Sequence, residues 1–194
     1  MPSYILTGAP GSGKTAVLRL LEVGGHPVVE EAATDVIALG HALGQPEPWQ
    51  ERDFIGRVLA LQRRRQESAR AGAGAGDGAV VFFDRSPVCT LALSRYLGVS
   101  PSQVLAGEVD RAMAEGGYET TAFFIRNQGF VQATAARRIS FEGSLRFEAI
   151  HEQAYTELGF RLVEVPAGPL ADRVALIRQT VGQPQEAGQS ICPV

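Results

Sequence analysis

Lysine is almost absent from this 194-residue chain: Lys14 is the single lysine among 18 basic residues, the other 17 being arginine. Cysteine is scarce as well. Cys89 and Cys192 are its two representatives, too few for a disulfide framework or a cysteine-built metal cluster, and Cys192 is expected in a loose tail. No apolar run approaches the ~18 residues that a membrane span requires, so no membrane association is expected. The opening Met1-Pro2-Ser3-Tyr4-Ile5-Leu6 has no basic stretch leading into an apolar one, so no secretory signal is read and a cytoplasmic location is expected. A basic excess is missing too. The net charge of −3 argues against a protein that coats nucleic acid, which needs a strongly basic face, and no such partner is expected. The one basic cluster, Arg63-Arg64-Arg65, has Glu51, Asp53 and Glu67 nearby and reads as a solvated helix face. His26, His41 and His151 show no short ligand spacing and read as packing or helix-surface residues rather than a metal set.

What is present is ordinary globular material, 45% hydrophobic and 20% charged, at a length that forms one domain with its own core. Five short apolar runs occupy residues 3–7, 27–30, 80–84, 121–125 and 161–165, and helix-like patterns separate them. Near-continuous apolar strands alternating with helices predict a parallel sheet covered on both faces. Ser86-Pro87 reads as an N-cap with proline in the first turn, and Ser100-Pro101 with Gln103 reads as a capping box. Gly24, Gly98 and Gly159 fall where helices should end. Residues 71–78, alternating Ala and Gly before Asp77-Gly78, are predicted to be a flexible connector. A mobile lid is predicted near residues 126–141. The domain is expected to span residues 1–181, with 182–194, rich in Gly, Gln and Pro, a disordered tail.

The lone lysine lies in Gly8-Ala9-Pro10-Gly11-Ser12-Gly13-Lys14-Thr15, which fits G-x-x-x-x-G-K-[ST] at every fixed position. An apolar strand enters this segment and an amphipathic helix carrying Val17, Leu18, Leu20 and Leu21 leaves it. The glycines let the backbone curl so that successive N–H groups point at phosphate oxygens. The helix start adds its partial positive charge. Lys14 supplies a compact point charge and the Thr15 hydroxyl a Mg²⁺ ligand. An arginine-rich composition replaces lysine wherever the two are interchangeable; at a phosphate cradle they are not. Nucleotide binding, with ATP and Mg²⁺ as the expected cofactors, follows. No Asn-Lys-x-Asp guanine motif accompanies it. The fold class this implies is an α/β P-loop NTPase three-layer sandwich with a five-stranded parallel sheet.

Ligands of such sheets sit beyond the carboxyl ends of the strands, so acids at those ends are candidates. Asp84 closes the third strand and reads as the carboxylate that serves Mg²⁺; capping Ser86-Pro87 is the alternative. Glu30-Glu31 closes the second strand. One of them, Glu31 before Glu30, is a candidate to take the proton of an acceptor hydroxyl, and both also suit the first turn of the next helix. Asp35 is a candidate to share that pocket, and Trp49, between Pro46 and Pro48, to wall it. Arg137 and Arg138 are candidate lid arginines for the transferring phosphoryl group, with Arg126 a third. Pro166-Ala167-Gly168-Pro169, after the fifth strand, is a candidate rest for an adenine base.

With these motifs assembled, the chain resembles the P-loop ATPase/kinase family grouped with AAA-type domains and with the nicotinamide-riboside kinase domain of NadR. The likeness rests on the phosphate loop, Val28-Val29-Glu30-Glu31, Phe82-Phe83-Asp84-Arg85-Ser86-Pro87, Arg137-Arg138 and the closing Tyr155 to Pro166. Asp84-Arg85-Ser86 is also similar to the acid-Arg-Ser motif of deoxynucleoside kinases, where the arginine reaches phosphate or substrate. The resemblance implies the kinase-like strand order 2-3-1-4-5 for the five-stranded sheet, an acid after strand two at Glu31, the strand-three pair Asp84 and Arg85, and a lid arginine at Arg138. Thr34 departs from it, standing where many members carry arginine.

Two functions are compatible with these residues. One is a small-molecule kinase, monomeric or homodimeric, that moves the γ-phosphoryl group of ATP to a hydroxyl of a small acceptor; its catalytic residues would be Lys14, Glu31, Asp84 and Arg138. The other is a regulatory nucleotide-binding switch that acts through a protein partner. Both require the phosphate loop. Lys14→Arg is therefore expected to weaken ATP binding by at least about tenfold, the ~1.4 kcal/mol of one good charged contact, in calorimetric titration; unchanged affinity would overturn the loop assignment.

Overall fold

The computed structural model describes residues 1–72, 80–114, 116–130 and 139–182. Five strands, β1 (Ser3–Thr7), β2 (Val28–Val29), β3 (Val81–Asp84), β4 (Thr121–Ile125) and β5 (Arg161–Val165), form one sheet in the order β2-β3-β1-β4-β5. Every adjacent pair is parallel. Both the strand count and the order agree with the sequence expectation. The second strand is shorter than predicted, because the chain turns away at Glu30.

Side-chain alternation along β1 explains the layers. Tyr4 and Leu6 point to one face, where Phe82, Phe123 and Ile125 join Val17, Leu18 and Leu21 of α1 (Lys14–Val23) and Val174 and Ile177 of α7 (Leu170–Gly182). Ile5 points to the other face, among Val88, Cys89 and Ala92 of α4 (Pro87–Tyr96) and Phe147, Ala154 and Tyr155 of α6 (Phe141–Glu157). Fully burying a side chain such as Ile5, Leu6 or Phe123 stabilises by about 1.5–3 kcal/mol each, so both helical layers are held by the central strands. A third cluster joins α2 (Ala32–Ala42) to α3 (Phe54–Ala71) through Val36, Phe54 and Val58, with Trp49 against it from a 3-10 turn over Pro48–Gln50. The remaining helix, α5 (Gln103–Ala114), packs Leu105 and Val109 on Leu59. Among the described residues no helix is long and apolar enough to cross a membrane.

The helix ends follow the local sequence, with one displacement. Ser86 caps α4, its Oγ accepting from the Val88 N–H at 3.2 Å. Gly98 and Gly159 take left-handed φ values of 69° and 78° just past α4 and α6. Before α5, however, Ser102 rather than Ser100 performs the capping, its Oγ accepting from the Leu105 N–H at 3.2 Å. Pro101 sits outside the helix and leaves Ser102 as the nearest hydroxyl. The connector of residues 71–78 begins as the last turn of α3 with Gly72 at its cap; residues 73–79 lie outside the described residues. So do Arg137, Arg138 and half of the predicted lid (residues 131–138), as well as the tail from 183 onward, including Cys192.

One buried polar junction ties α6 to the end of β3. The Tyr155 hydroxyl, fully buried, lies 2.7 Å from Ser86 Oγ and 3.1 Å from Cys89 Sγ. Tyr155→Phe would leave those groups without that partner in a dry interior, at a cost of about 1–2 kcal/mol. Urea unfolding is expected to show that loss; equal midpoints would mean the hydroxyl adds nothing.

Candidate functional site

Register places the functional residues before any side chain is considered. Leu6 pairs with Asp84 across β1 and β3, and Val29 with Phe83 across β2 and β3. The phosphate loop after Thr7, Asp84-Arg85 and Glu30-Glu31 therefore emerge together on the carboxyl edge of the sheet, the edge on which ligands of open parallel sheets bind.

The loop itself is built by its glycines. Gly8, Gly11 and Gly13 have φ values of 128°, 85° and 85°, a region that L-residues with a Cβ avoid. Gly13 forms the N-cap of α1 with no side-chain cap, so the first N–H groups of that helix are left to face a ligand. Lys14 is buried, and its Nζ donates to Gly8 O and Ala9 O at 2.8 Å each and to Ser12 Oγ at 3.3 Å. The lysine thus braces the curled loop from inside. Two packing contacts hold the loop from outside. Ser144 Oγ, on α6, donates to Pro10 O at 3.0 Å. Arg173, buried on α7, donates to Ser12 O at 2.9 Å and to Arg126 O at 3.3 Å. No short-range signal in the sequence announces either contact.

Asp84 is buried at the end of β3, and Thr15 is exposed in the first turn of α1. Arg85 follows with a φ of 76°, unusual for a residue other than glycine. Its backbone N–H donates to Leu6 O at 3.1 Å. Its Nε lies 2.5 Å from Glu31 Oε1, and its Nη1 lies 3.1 Å from His151 Nε2. Burial works against the Arg85 charge, but Glu31, Cys89 and Asp84 outweigh it and hold the guanidinium firmly protonated.

The two acids after β2 separate cleanly. Glu30 turns outward to ion-pair with Arg19 on the surface. Glu31 turns inward, bonded to Arg85 and accepting from Thr34 Oγ1 at 3.0 Å. Arg65 fixes this turn: its Nη1 donates to the carbonyls of Glu30 at 3.0 Å and Glu31 at 2.8 Å, and its other nitrogen pairs with Asp35. This corrects two expectations. Arg65 is an inter-helix strut rather than a solvated charge, and Asp35 faces that strut instead of sharing the pocket. Arg126 is likewise committed elsewhere, ion-paired with Glu148 at 3.2 Å, Glu152 at 2.9 Å and Glu164 at 2.5 Å, over the Phe124 ring. His151, read from sequence as a packing or helix-surface residue, is fully buried against Arg85.

Beside Glu31 and Arg85 opens a cavity of about 380 Å³. Pro10 of the phosphate loop forms one rim, Ile37, Trp49, Phe54 and Leu93 line its body, and Gln62 and Thr90 add polar groups. Gln62 and Thr90 are bonded to each other, Thr90 Oγ1 donating to Gln62 Oε1 at 3.1 Å. The residues fit the nucleotide and metal that the motif implies: a left-handed glycine cradle, a buried cation within it, and a hydroxyl and a carboxylate of the hard oxygen type that Mg²⁺ prefers.

The fold and loop define a P-loop nucleotide-binding α/β protein of the kinase-like strand order. The chain belongs to the AAA domain family, AAA_28, which matches residues 3–173. Comparison with curated proteins gives no match. Among solved structures, NadR in complex with NAD and AMP-PNP is similar with a TM-score of 0.67 at 16% identity, over 96% of this chain and 51% of that one. This chain thus spans about half of the NadR chain. Thymidylate kinase from Ehrlichia chaffeensis gives 0.61 at 14% identity, over 94% and 100% of the two chains. Deoxyadenosine kinase from M. mycoides, with products dCMP and dCDP bound, gives 0.58 at 13%, over 92% and 98%. At these identities the likeness is one of fold.

Burial, with the Arg85 charge adding to it and Asp84 and Glu31 opposing, pulls Lys14 down from its ordinary 10.5 to about 7. A depressed lysine makes the ligand-free fold more stable as pH rises from 7 toward 10.5. Phosphate favours the charged ammonium, so nucleotide affinity runs the other way. Above pH 7, ATP binding is expected to take up about one proton and to weaken by up to about tenfold per pH unit. Calorimetry at pH 8 in buffers of different ionisation enthalpy measures this directly, and zero proton uptake would contradict the depressed lysine.

Proposed function

We propose that this protein is a small-molecule kinase that transfers the γ-phosphoryl group of ATP to a hydroxyl of a small acceptor. One observation carries the reading: the phosphate loop and the inward carboxylate Glu31 border the same cavity, whose wall includes Pro10. A protein that only binds and releases nucleotide has no use for such a pocket or for an acid aimed into it.

The chain's residues divide the work. The glycine cradle and Lys14 hold the phosphates and balance the charge that develops on the transferred group. Mg²⁺, with Thr15 and Asp84 as its protein-side partners, would neutralise phosphate charge when bound. Arg85 stands between the two halves of the site and lowers the cost of bringing anionic phosphate toward Glu31. Glu31 orients the acceptor O–H and takes its proton as the acceptor oxygen bonds to the γ-phosphorus and the bond to the β–γ bridging oxygen breaks, releasing ADP. Its bonds to Arg85 and Thr34 fix the carboxylate in place; general-base contributions of this kind are worth about 10²–10⁴-fold. The lid arginines Arg137 and Arg138 belong to this proposal as partners for the transferring group. The apolar body of the cavity favours an acceptor with a sizeable non-polar part. The domain with its lid and tail, as drawn from the sequence, is part of the same proposal.

The test is ADP release with and without a panel of nucleosides, sugars and larger natural-product alcohols. Acceptor-stimulated turnover is expected, falling by about 10²-fold or more in Glu31→Gln while calorimetric ATP affinity is retained. No stimulation by any acceptor, together with a tight nucleotide complex that depends on a protein partner, would replace the kinase reading by a regulatory switch.

A further inference from the structure

His151 lies on α6, far in sequence from the phosphate loop, Glu31 and Asp84-Arg85, yet it touches the site's central cation. It is fully buried on α6. Its Nδ1 lies 2.9 Å from Phe147 O, one turn back along the helix. Its Nε2 lies 3.1 Å from Arg85 Nη1. The ring also packs on the Phe147 ring, with centroids 4.3 Å apart, and Phe147 lines the cavity.

The two partners leave one proton arrangement. A carbonyl oxygen only accepts, so Nδ1 must carry the hydrogen. A guanidinium only donates, so Nε2 must be bare. Both conditions are met together by the neutral Nδ1–H tautomer, and an imidazolium would set an N–H against a cation. Burial first, then the Arg85 and Lys14 charges, keep the ring neutral against the Phe147 bond.

Arg85 needs such a partner. Its left-handed backbone persists only where the surroundings over-determine it. The hydrogen bond from its N–H to Leu6 O fixes the backbone, and Glu31 fixes Nε. Cys89 also bonds the guanidinium, and His151 supplies the acceptor at Nη1. A carboxylate in place of His151 would hold that end but also neutralise it and compete with Glu31. A neutral acceptor holds it and leaves the charge in play.

We propose that His151 is a positioning residue for Arg85: as the neutral Nδ1–H tautomer, braced by Phe147 O, it presents its Nε2 lone pair to Nη1 and fixes the guanidinium between the phosphate loop and the acceptor cavity. The consequence for turnover rests on the kinase reading; the geometry of the pair does not. Because Phe147 is both the brace of the imidazole and part of the cavity wall, an acceptor that fills the cavity presses on the same element that aims Arg85.

Two substitutions separate the roles of the ring. His151→Gln keeps an acceptor near the Nε2 position but gives up the donor near Nδ1. His151→Asn keeps the donor to Phe147 O but cannot reach Arg85. A purely structural histidine predicts similar behaviour for the two at equal stability. Positioning predicts that Asn lowers kcat by about 10–10²-fold, the effect of a misplaced group, with KM for ATP changed much less, and that Gln restores most of kcat. Equal and near-wild-type kcat in both would overturn the proposal. Independently, ¹⁵N–¹H NMR of the wild-type imidazoles should show His151 protonated at Nδ1, with an Nε2 resonance that moves in Arg85→Leu. An Nε2–H tautomer, or no response to Arg85→Leu, would overturn it even where a variant fails to fold. If the wild-type protein shows no acceptor-dependent turnover the kinase reading fails, and the NMR result still decides the His151–Arg85 pair.

Discussion

Lys14 and Arg85 are two cations buried side by side at the carboxyl edge of a parallel sheet, and the rest of the site is arranged around the difficulty of keeping them there. A buried charge without partners is expensive. Asp84 and Glu31 are drawn into the same cluster and offset that cost in part, which is the sense in which both acids hold the Lys14 ammonium up while burial and Arg85 pull it down. Burial still disfavours the Lys14 ammonium despite the two acids. Phosphate, with several negative charges and many acceptor oxygens, would stabilise it. The ligand-free fold is thus organised as one side of an interaction whose other side is a nucleotide.

That constraint explains features that look unrelated one at a time. Gly11 and Gly13 adopt left-handed backbone so that the loop can wrap the lysine, and Lys14 answers by bonding Gly8 and Ala9 carbonyls. Arg173 and Ser144 then clamp the loop from two different helices. On the other side of the cations, Arg65 bonds the carbonyls of Glu30 and Glu31 and so fixes which of the two acids turns inward. The same strut leaves Glu30 to pair with Arg19 on the surface. A sheet edge supplies the address, but long-range guanidinium contacts supply the aim.

The parts legible in the sequence are those whose causes are local. Apolar runs mark the strands of a parallel sheet and motif spacing marks the phosphate loop, while the strand order comes with the family resemblance; β1, β4 and β5 keep the predicted bounds. Ser86 and the helix-ending glycines were equally plain, since each acts on neighbours within a few residues. Reading failed where the partner is remote. Nothing near Arg65 in the chain points to residues 30 and 31, nothing near Arg126 distinguishes a phosphate-facing arginine from one caged by Glu148, Glu152 and Glu164, and nothing near His151 points to Arg85. Seventeen arginines offer many equivalent candidates. Only the tertiary fold assigns them.

This division between local and remote causes also accounts for how the chain relates to its structural neighbours. A phosphate loop is satisfied by backbone geometry plus two side chains, so it tolerates nearly complete divergence elsewhere, and the fold persists in solved structures at 13–16% identity. The cavity beside Glu31 has no such economy. Its shape depends on α2, α3, α4 and α6 arriving together, and its polar groups, Glu31 with Arg85 and Gln62 with Thr90, are pairs drawn from separate elements. Changing one member of such a pair strands the other in a buried setting at about 1–3 kcal/mol, so the pairs must change together. Thr34 fits that logic: its short hydroxyl bonds Glu31 from the same helix turn, while the guanidinium that reaches Glu31 comes from Arg85 across the sheet edge. The charge that holds the acid is thereby supplied from the phosphate side of the site, which couples the phosphate loop's surroundings to the orientation of the carboxylate facing the cavity.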